Sequence, residues 1–502
     1  MRGLLAFAAT LAAATAPLWL VRFPPLHDYP GHLARARILR DLGDDPLLAT
    51  YYEPASWLLP NVGMDAVLLA LLRVFAIEPA GRVFVALVLA LSLGGTVLLH
   101  RALHGRRSFW PLLAGFFLFN GILLYGFLTY LLGVGLALCA AALWVALDRR
   151  PGARLAAGVA AGLALFLCHL MALGLFGLFV AGWELRRIAA SLRAGERPPW
   201  AAMAVSASPF VLPLALLLRT ATPGAGGLEW PGWWGWKAAV ASRGLLSGAP
   251  AADWLFAGAA VAGLAALLAF GRLRLARGAV WPLATLGFGF LAMPYGLFGS
   301  GWADARMVPA LALFAVAATD ASFRSAAVAR IVAVALAVAF LARSGLIAAE
   351  WRRHDETLAG FATAFAALPR EGVLFAVTAA PYPKLAWSGP AERDLWRPPL
   401  KHVASLAAAG GLAFVPGTFT HPGHQPIVTA PAYRKVYALQ YPGALRVADG
   451  AEAARRFAEL TEALPAPRPP VFLLLLYPDR LPDRPALRAV AEGPHFVLYR
   501  AD

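Results

Sequence analysis

Apolar residues run along this chain in long blocks, set apart by short stretches rich in arginine. About 20 apolar residues in helical form cross the hydrocarbon of a bilayer. Blocks near that length cover residues 4–21, 83–103, 109–127, 130–147, 155–168, 170–183, 200–218, 254–270, 280–298, 307–319 and 326–347. They predict a polytopic α-helical membrane protein with about eleven transmembrane helices. Residues 109–147 and 155–187 are each long for one helix and short for two, so both read as hairpins of short helices, turning at 127–130 and 168–170. Non-helical backbone at that depth is tolerated only where protein buries it or a wet cavity is lined.

Two stretches break the pattern. In 22–82, residues 31–42 set Leu33, Ala36, Ile38 and Leu39 against Arg35, Arg37, Arg40 and Asp41, while 65–75 place Val67, Leu68, Leu71 and Leu72 on one face. Both predict amphipathic helices lying along the interface, with a soluble helical cap as the alternative. After residue 347 the apolar runs shorten to β-rich segments at 373–378, 471–477 and 496–499, with helical patterns at 401–409 and 451–464 between them. Strands alternating with helices predict an α/β domain. The expected division is therefore a transmembrane module over 1–347, with 22–82 as its external loop, and an extracytoplasmic α/β domain over 348–502.

Charge orients this arrangement. Cytoplasmic loops collect Lys and Arg, and with the N-terminus inside, alternate gaps should be basic. Those gaps hold Arg101, Arg106 and Arg107; Arg149, Arg150 and Arg154; Arg186, Arg187, Arg193 and Arg197; Arg272, Arg274 and Arg277; and Arg324 and Arg330. The opposite gaps hold Asp28, Asp65, Glu229, Asp253 and Asp304. The C-terminal domain is then extracytoplasmic. Cleavage of the first segment after Ala14-Thr15-Ala16 is the alternative, and Pro17 argues against it.

Composition excludes other classes. Of 502 residues 60% are hydrophobic and 14% charged, with a mean hydropathy of +0.64, whereas soluble domains are about 45–50% apolar and about 25% charged. The net charge of +16 is accounted for by the cytoplasmic loop ends and implies no nucleic acid. Cys139 and Cys168 lie inside apolar runs and supply neither a disulfide framework nor a thiolate metal site. No Gly-rich phosphate loop is present.

The candidate chemistry begins at His27-Asp28-Tyr29-Pro30-Gly31-His32, just beyond the first span. An acid above the bilayer can take a proton from a hydroxyl nucleophile or hold a divalent cation against a phosphate. It can equally cap the helix opening near Pro30. The order of parts is one span, an external loop opening with an acid, amphipathic helices, many spans, then an external tail. This order resembles the GT-C superfamily of membrane glycosyltransferases, and within it the protein mannosyltransferase and aminoarabinose transferase group. The resemblance covers the whole chain, though the adjacent acids frequent in that superfamily are here His27-Asp28. It implies a polyprenyl-phosphate-linked sugar as donor, an extracytoplasmic acceptor, the lipid bilayer as environment, inversion at the anomeric carbon and Asp28 as general base. It demands no cofactor, and a divalent cation stays open.

Other residues join on weaker grounds. Arg306, in Gly301-Trp302-Ala303-Asp304-Ala305-Arg306 before Pro309, resembles the arginine that precedes a late helix in that superfamily. Its planar fork suits the oxygens of a lipid phosphate; the alternative is an interfacial anchor with Asp304. The resemblance implies that Asp28 and Arg306 serve one pocket. His169 lines a donor cavity or is a buried histidine on a carbonyl, and His32 is a phosphate contact, a proton shuttle or a surface residue. Trp230, Trp233, Trp234 and Trp236 form an interfacial belt or stack on a sugar. Asp41, Asp44, Asp45 and Glu53 read as loop charge, His421 and His424 lack a third metal ligand, and Tyr382, Trp387 and Trp396 read as contacts of the tail with the membrane module. A secondary transporter and a non-catalytic polysaccharide assembly or export subunit are the rival functions.

Overall fold

The computed structural model describes residues 2–220, 227–230, 235–297, 300–380, 400–441 and 443–501. Trp233, Trp234, Tyr382, Trp387 and Trp396 lie outside them. The chain folds as two compact units: Met1–Trp19, Leu58–Met64 and Val85–Ala349 make one, and Leu20–Trp57, Asp65–Phe84 and Glu350–Asp502 the other.

The first unit is helical. Among the described residues six helices are long and apolar enough to cross a membrane: Ile77–His104, Leu128–Ala146, Pro151–Cys168, Trp200–Arg219, Pro250–Phe270 and Ala326–Ala366. Large apolar side chains stand outward on them, Trp254 at 80%, Leu268 at 77% and Ile331 at 68% exposure. Large apolar side chains this exposed along such helices suit lipid rather than water. Small residues set the crossings: a Cβ on Gly135 would lie 2.7 Å from that of Leu91, so Leu128–Ala146 meets Ile77–His104 at nearly backbone distance.

Several predicted spans are altered. Residues 109–127 are not one helix but three short turns, Trp110–Ala114, Gly115–Leu118 and Gly121–Leu124. The break is Asn120, whose Oδ1 accepts the Ile122 and Leu123 amides at 3.0 Å and so starts a fresh turn. The predicted turn near 127–130 falls at Gly126, with φ +79°, and Phe127. The other predicted turn is at His169, between Pro151–Cys168 and Leu170–Arg193. The segment 280–298 is helical over Val280–Ala292, and 326–347 extends to Ala326–Ala366.

In the second unit, a five-stranded sheet runs in the order Leu445–Val447, Val373–Ala379, Val471–Leu476, Phe496–Arg500, Arg488–Gly493. The first three strands are parallel and the last two antiparallel to their neighbours. Val373–Ala379 and Val471–Leu476 are buried along their whole length, which is why they read as unbroken apolar runs.

The predicted interfacial helix at 31–42 is here Tyr29–Asp41, and it does not lie on a surface. Ten consecutive residues, Tyr29 to Ile38, are buried. Arg37 donates to the carbonyls of Ala408 and Leu412 at 3.1 and 3.0 Å, Arg35 forms a two-bond pair with Asp65 at 2.6 and 3.1 Å, and Ala34 and Ile38 enter the same core as the sheet. Tyr52–Pro54 pairs antiparallel with Ile427–Thr429. The loop 22–82 thus divides: 20–57 and 65–84 pack with the tail rather than with the helical module. The polar spacing that suggested a water-facing side belongs to arginines with buried partners.

Candidate active site

The predicted site residues fall into two groups, one in each unit.

In the second unit, Pro30 sets the first turn of Tyr29–Asp41, which leaves Asp28 at the capping position. Its carboxylate makes no capping bond. Instead Asp28 Oδ1 stands 3.8 Å from His27 Nε2 and 3.6 Å from Nε2 of His402. The side chains of His27, Asp28 and His402 are 11%, 17% and 4% exposed. The two imidazole rings meet edge to face with centroids 4.9 Å apart. Phe419 closes on His402 at 4.8 Å and on His32 at 5.4 Å. It fits there because residue 31 is glycine; a Cβ on it would lie 2.8 Å from the Phe419 ring. Burial holds the His402 pKa well below the ordinary histidine value, and nearby His27, Lys401 and His32 push the same way, so the ring is neutral. Burial also lowers the Lys401 pKa, against the attraction of Asp28. A hollow of about 30 Å³ opens beside His27, lined also by Pro25, Pro30, His354 and Leu400.

His402 had no signal in the sequence, being a single histidine in a short turn, Leu400–His402, within a stretch that read as helix. His421 and His424, which did stand out, are exposed. His32 is not a surface residue: it is 7% exposed, with Nδ1 3.3 Å from Arg35 Nη2. Two of the loop acids have structural partners. Asp41 takes Arg37 and Arg40; Asp45 caps Pro46–Tyr51 and pairs with Arg370.

In the first unit, Ala303–Ala318 opens after Trp302, a non-glycine residue in the left-handed region at φ +60°. Arg306, in its first turn, donates through Nη2 to Ser300 Oγ at 2.8 Å and to the Gly301 carbonyl at 3.2 Å. Its guanidinium lies over the Phe127 ring at 4.2 Å. Tyr130 Oη donates to its carbonyl at 2.6 Å. His169 is the turn between two helices, and its Nδ1 accepts the Met171 amide at 3.1 Å. A neutral ring with Nδ1 accepting carries its proton on Nε2. That Nε2 lies 3.5 Å from Arg306 Nη1, so two N–H donors converge, an arrangement suited to an anionic oxygen.

Asp304 is fully buried, and its oxygens accept from Trp236 Nε1 at 2.9 Å, from Lys237 Nζ at 2.8 Å and from the Ala305 amide at 2.8 Å. Lys237 also donates to the Met293 carbonyl. The acid therefore holds Trp236 and Lys237 in place. Trp236 stacks on Trp302 at 5.8 Å, and Tyr295 and Tyr125 meet Trp302 at 5.1 and 5.3 Å. Trp236 is one member of the predicted tryptophan belt.

Fold and site together define a helical membrane protein carrying an α/β unit, with a carboxylate–imidazole cluster in one unit and a convergent donor pair in the other. No protein-family model matches the chain, and no curated protein does. Among solved structures it is similar to ArnT from Cupriavidus metallidurans bound to undecaprenyl phosphate, at 16% identity and a TM-score of 0.48, over 99% of this chain and 97% of that one. It is similar to the same protein in the apo state at 16% identity and a TM-score of 0.47, with the same coverage.

Proposed function

We propose that the chain is an integral membrane glycosyltransferase of the GT-C type, moving a sugar from a polyprenyl-phosphate donor to an acceptor outside the cytoplasm. The observation that carries this reading is Asp28: a carboxylate at a helix start that caps nothing and stands against two imidazoles. Each group takes its step from its own chemistry. Asp28 accepts the proton of the acceptor hydroxyl as that oxygen attacks the anomeric carbon, and inversion follows from a single displacement. His402 and His27 stand against the carboxylate at 3.6 and 3.8 Å. Arg306 and His169 offer converging N–H donors of the kind that hold an anionic phosphate oxygen. Asp304 orients Lys237 and Trp236, and His32 supports the helix of Asp28 through Arg35.

The test compares envelope glycans, by mass spectrometry, in cells lacking the chain and in cells carrying the wild type or Asp28→Asn. Loss of a general base lowers rate by about 10²–10⁴-fold, so Asp28→Asn, folded and present at wild-type amount, should restore less than about a hundredth of the product. Restoration at the wild-type rate would refute the assignment. An assembly or export subunit would leave the glycan's composition unchanged and alter only its delivery.

A further inference from the structure

We propose that His27, Asp28 and His402 form a binding site for one divalent transition cation of the zinc type. The donor atoms of the three residues all lie within 4.8 Å of one another. Asp28 Oδ1 is 3.8 Å from His27 Nε2 and 3.6 Å from His402 Nε2, both too long for hydrogen bonds. They are near what an ion between them requires: donors held about 2.0–2.1 Å from a tetrahedral ion stand about 3.4 Å from each other. Inward rotation of the two rings would bring the donors, spread over as much as 4.8 Å, to that spacing.

The donor set selects the class of ion. Two imidazoles and one carboxylate suit zinc and its first-row neighbours, whereas Mg²⁺ and Ca²⁺ favour oxygen ligands throughout. The surroundings are those of a built site. His402 is 4% exposed and clamped by Phe419. Three protein ligands leave a fourth position for water or a hydroxyl oxygen, and the hollow of about 30 Å³ beside His27 has room for one. His421 and His424 also lie close together, with ring centroids 4.9 Å apart, but they are exposed and no acid groups with them among the described residues.

The inference does not rest on the transferase reading. A chain that binds the ion and moves no sugar supports this proposal and overturns the other; one that moves sugar and binds no ion does the reverse. The experiment uses the full chain in detergent, without an affinity tag, stripped by a chelator and titrated with Zn²⁺ against a chromophoric competitor, with Co²⁺ absorption as a second readout. The wild type should take up one equivalent and give the intense visible bands of four-coordinate cobalt. Affinity should fall at least tenfold in His27→Ala, Asp28→Asn and His402→Gln and stay unchanged in His421→Ala and His424→Ala. If His402→Gln fails to fold, His27→Ala, whose side chain borders the hollow, decides the matter. No stoichiometric uptake by the wild type, uptake indifferent to the folded variants, or equal loss in His424→Ala would overturn the proposal.

Discussion

Removing the Asp65 carboxylate leaves one of the most buried charges of the second unit without its partner. Arg35 and Asp65 are 1% and 0% exposed and joined by two bonds of 2.6 and 3.1 Å. Burial pushes the Asp65 carboxyl above its ordinary value, and Arg35 draws it back. The net worth of such a pair against apolar residues is small, but breaking it from one side costs about 3–5 kcal/mol, because a desolvated guanidinium remains. For a unit of this size about 1 kcal/mol moves a melting temperature by about 2–4 °C, so Asp65→Ala should lower the apparent melting temperature by about 6–20 °C. The assay is thermal unfolding of the purified chain in detergent. Glu459→Ala serves as contrast, since Arg456 and Glu459 also pair at 2.9 Å but are 44% and 46% exposed; such pairs contribute about 0–1 kcal/mol. The double change Arg35→Met with Asp65→Leu should recover much of the loss. A shift below about 2 °C for Asp65→Ala, or a double variant worse than the single one, would refute the reasoning.

Three further outcomes are expected. Gly31→Ala puts a Cβ 2.8 Å from the Phe419 ring and should cost about 1–3 kcal/mol, while Gly43→Ala, with nothing within 4 Å, should change the melting temperature by less than the error. Arg306→Lys keeps the charge but loses the fork that reaches Ser300 and Gly301. Native mass spectrometry with a polyprenyl phosphate should then show weaker binding than the wild type, as expected where a planar fork is replaced by a point charge; equal binding would remove Arg306 from the phosphate assignment. Asp304→Asn retains an acceptor for Trp236 but loses the ionic bond to Lys237, and should shift tryptophan fluorescence less than Asp304→Leu, which abolishes both.

What the chain declares locally is its apolar pattern, and that pattern was enough for several of the helices. Leu128–Ala146 and Pro250–Phe270 lie where continuous apolar runs predicted them, and the strands Val373–Ala379, Val471–Leu476 and Phe496–Arg500 lie on the short β-rich runs. The turn at His169 was legible because two apolar runs abut there. Leu445–Val447 and Arg488–Gly493 were not legible: the first is three residues long and the second a largely exposed edge strand, so neither shows an apolar run. Asp28 stood out because an acid followed a span directly.

The tertiary structure alone decided where the polar residues point. A helical wheel assigns Arg35 and Arg37 to water, since it counts neighbours along one helix; their partners, Asp65 and the Ala408 and Leu412 carbonyls, come from 30 and more than 370 residues away. For the same reason neither the packing of 20–57 with the tail nor the place of His402 shows along the chain. Hydrophobic patterning acts through each residue's own transfer free energy and so can be read position by position. Ion pairs and donor clusters exist only once distant segments meet, and that meeting is a property of the folded chain.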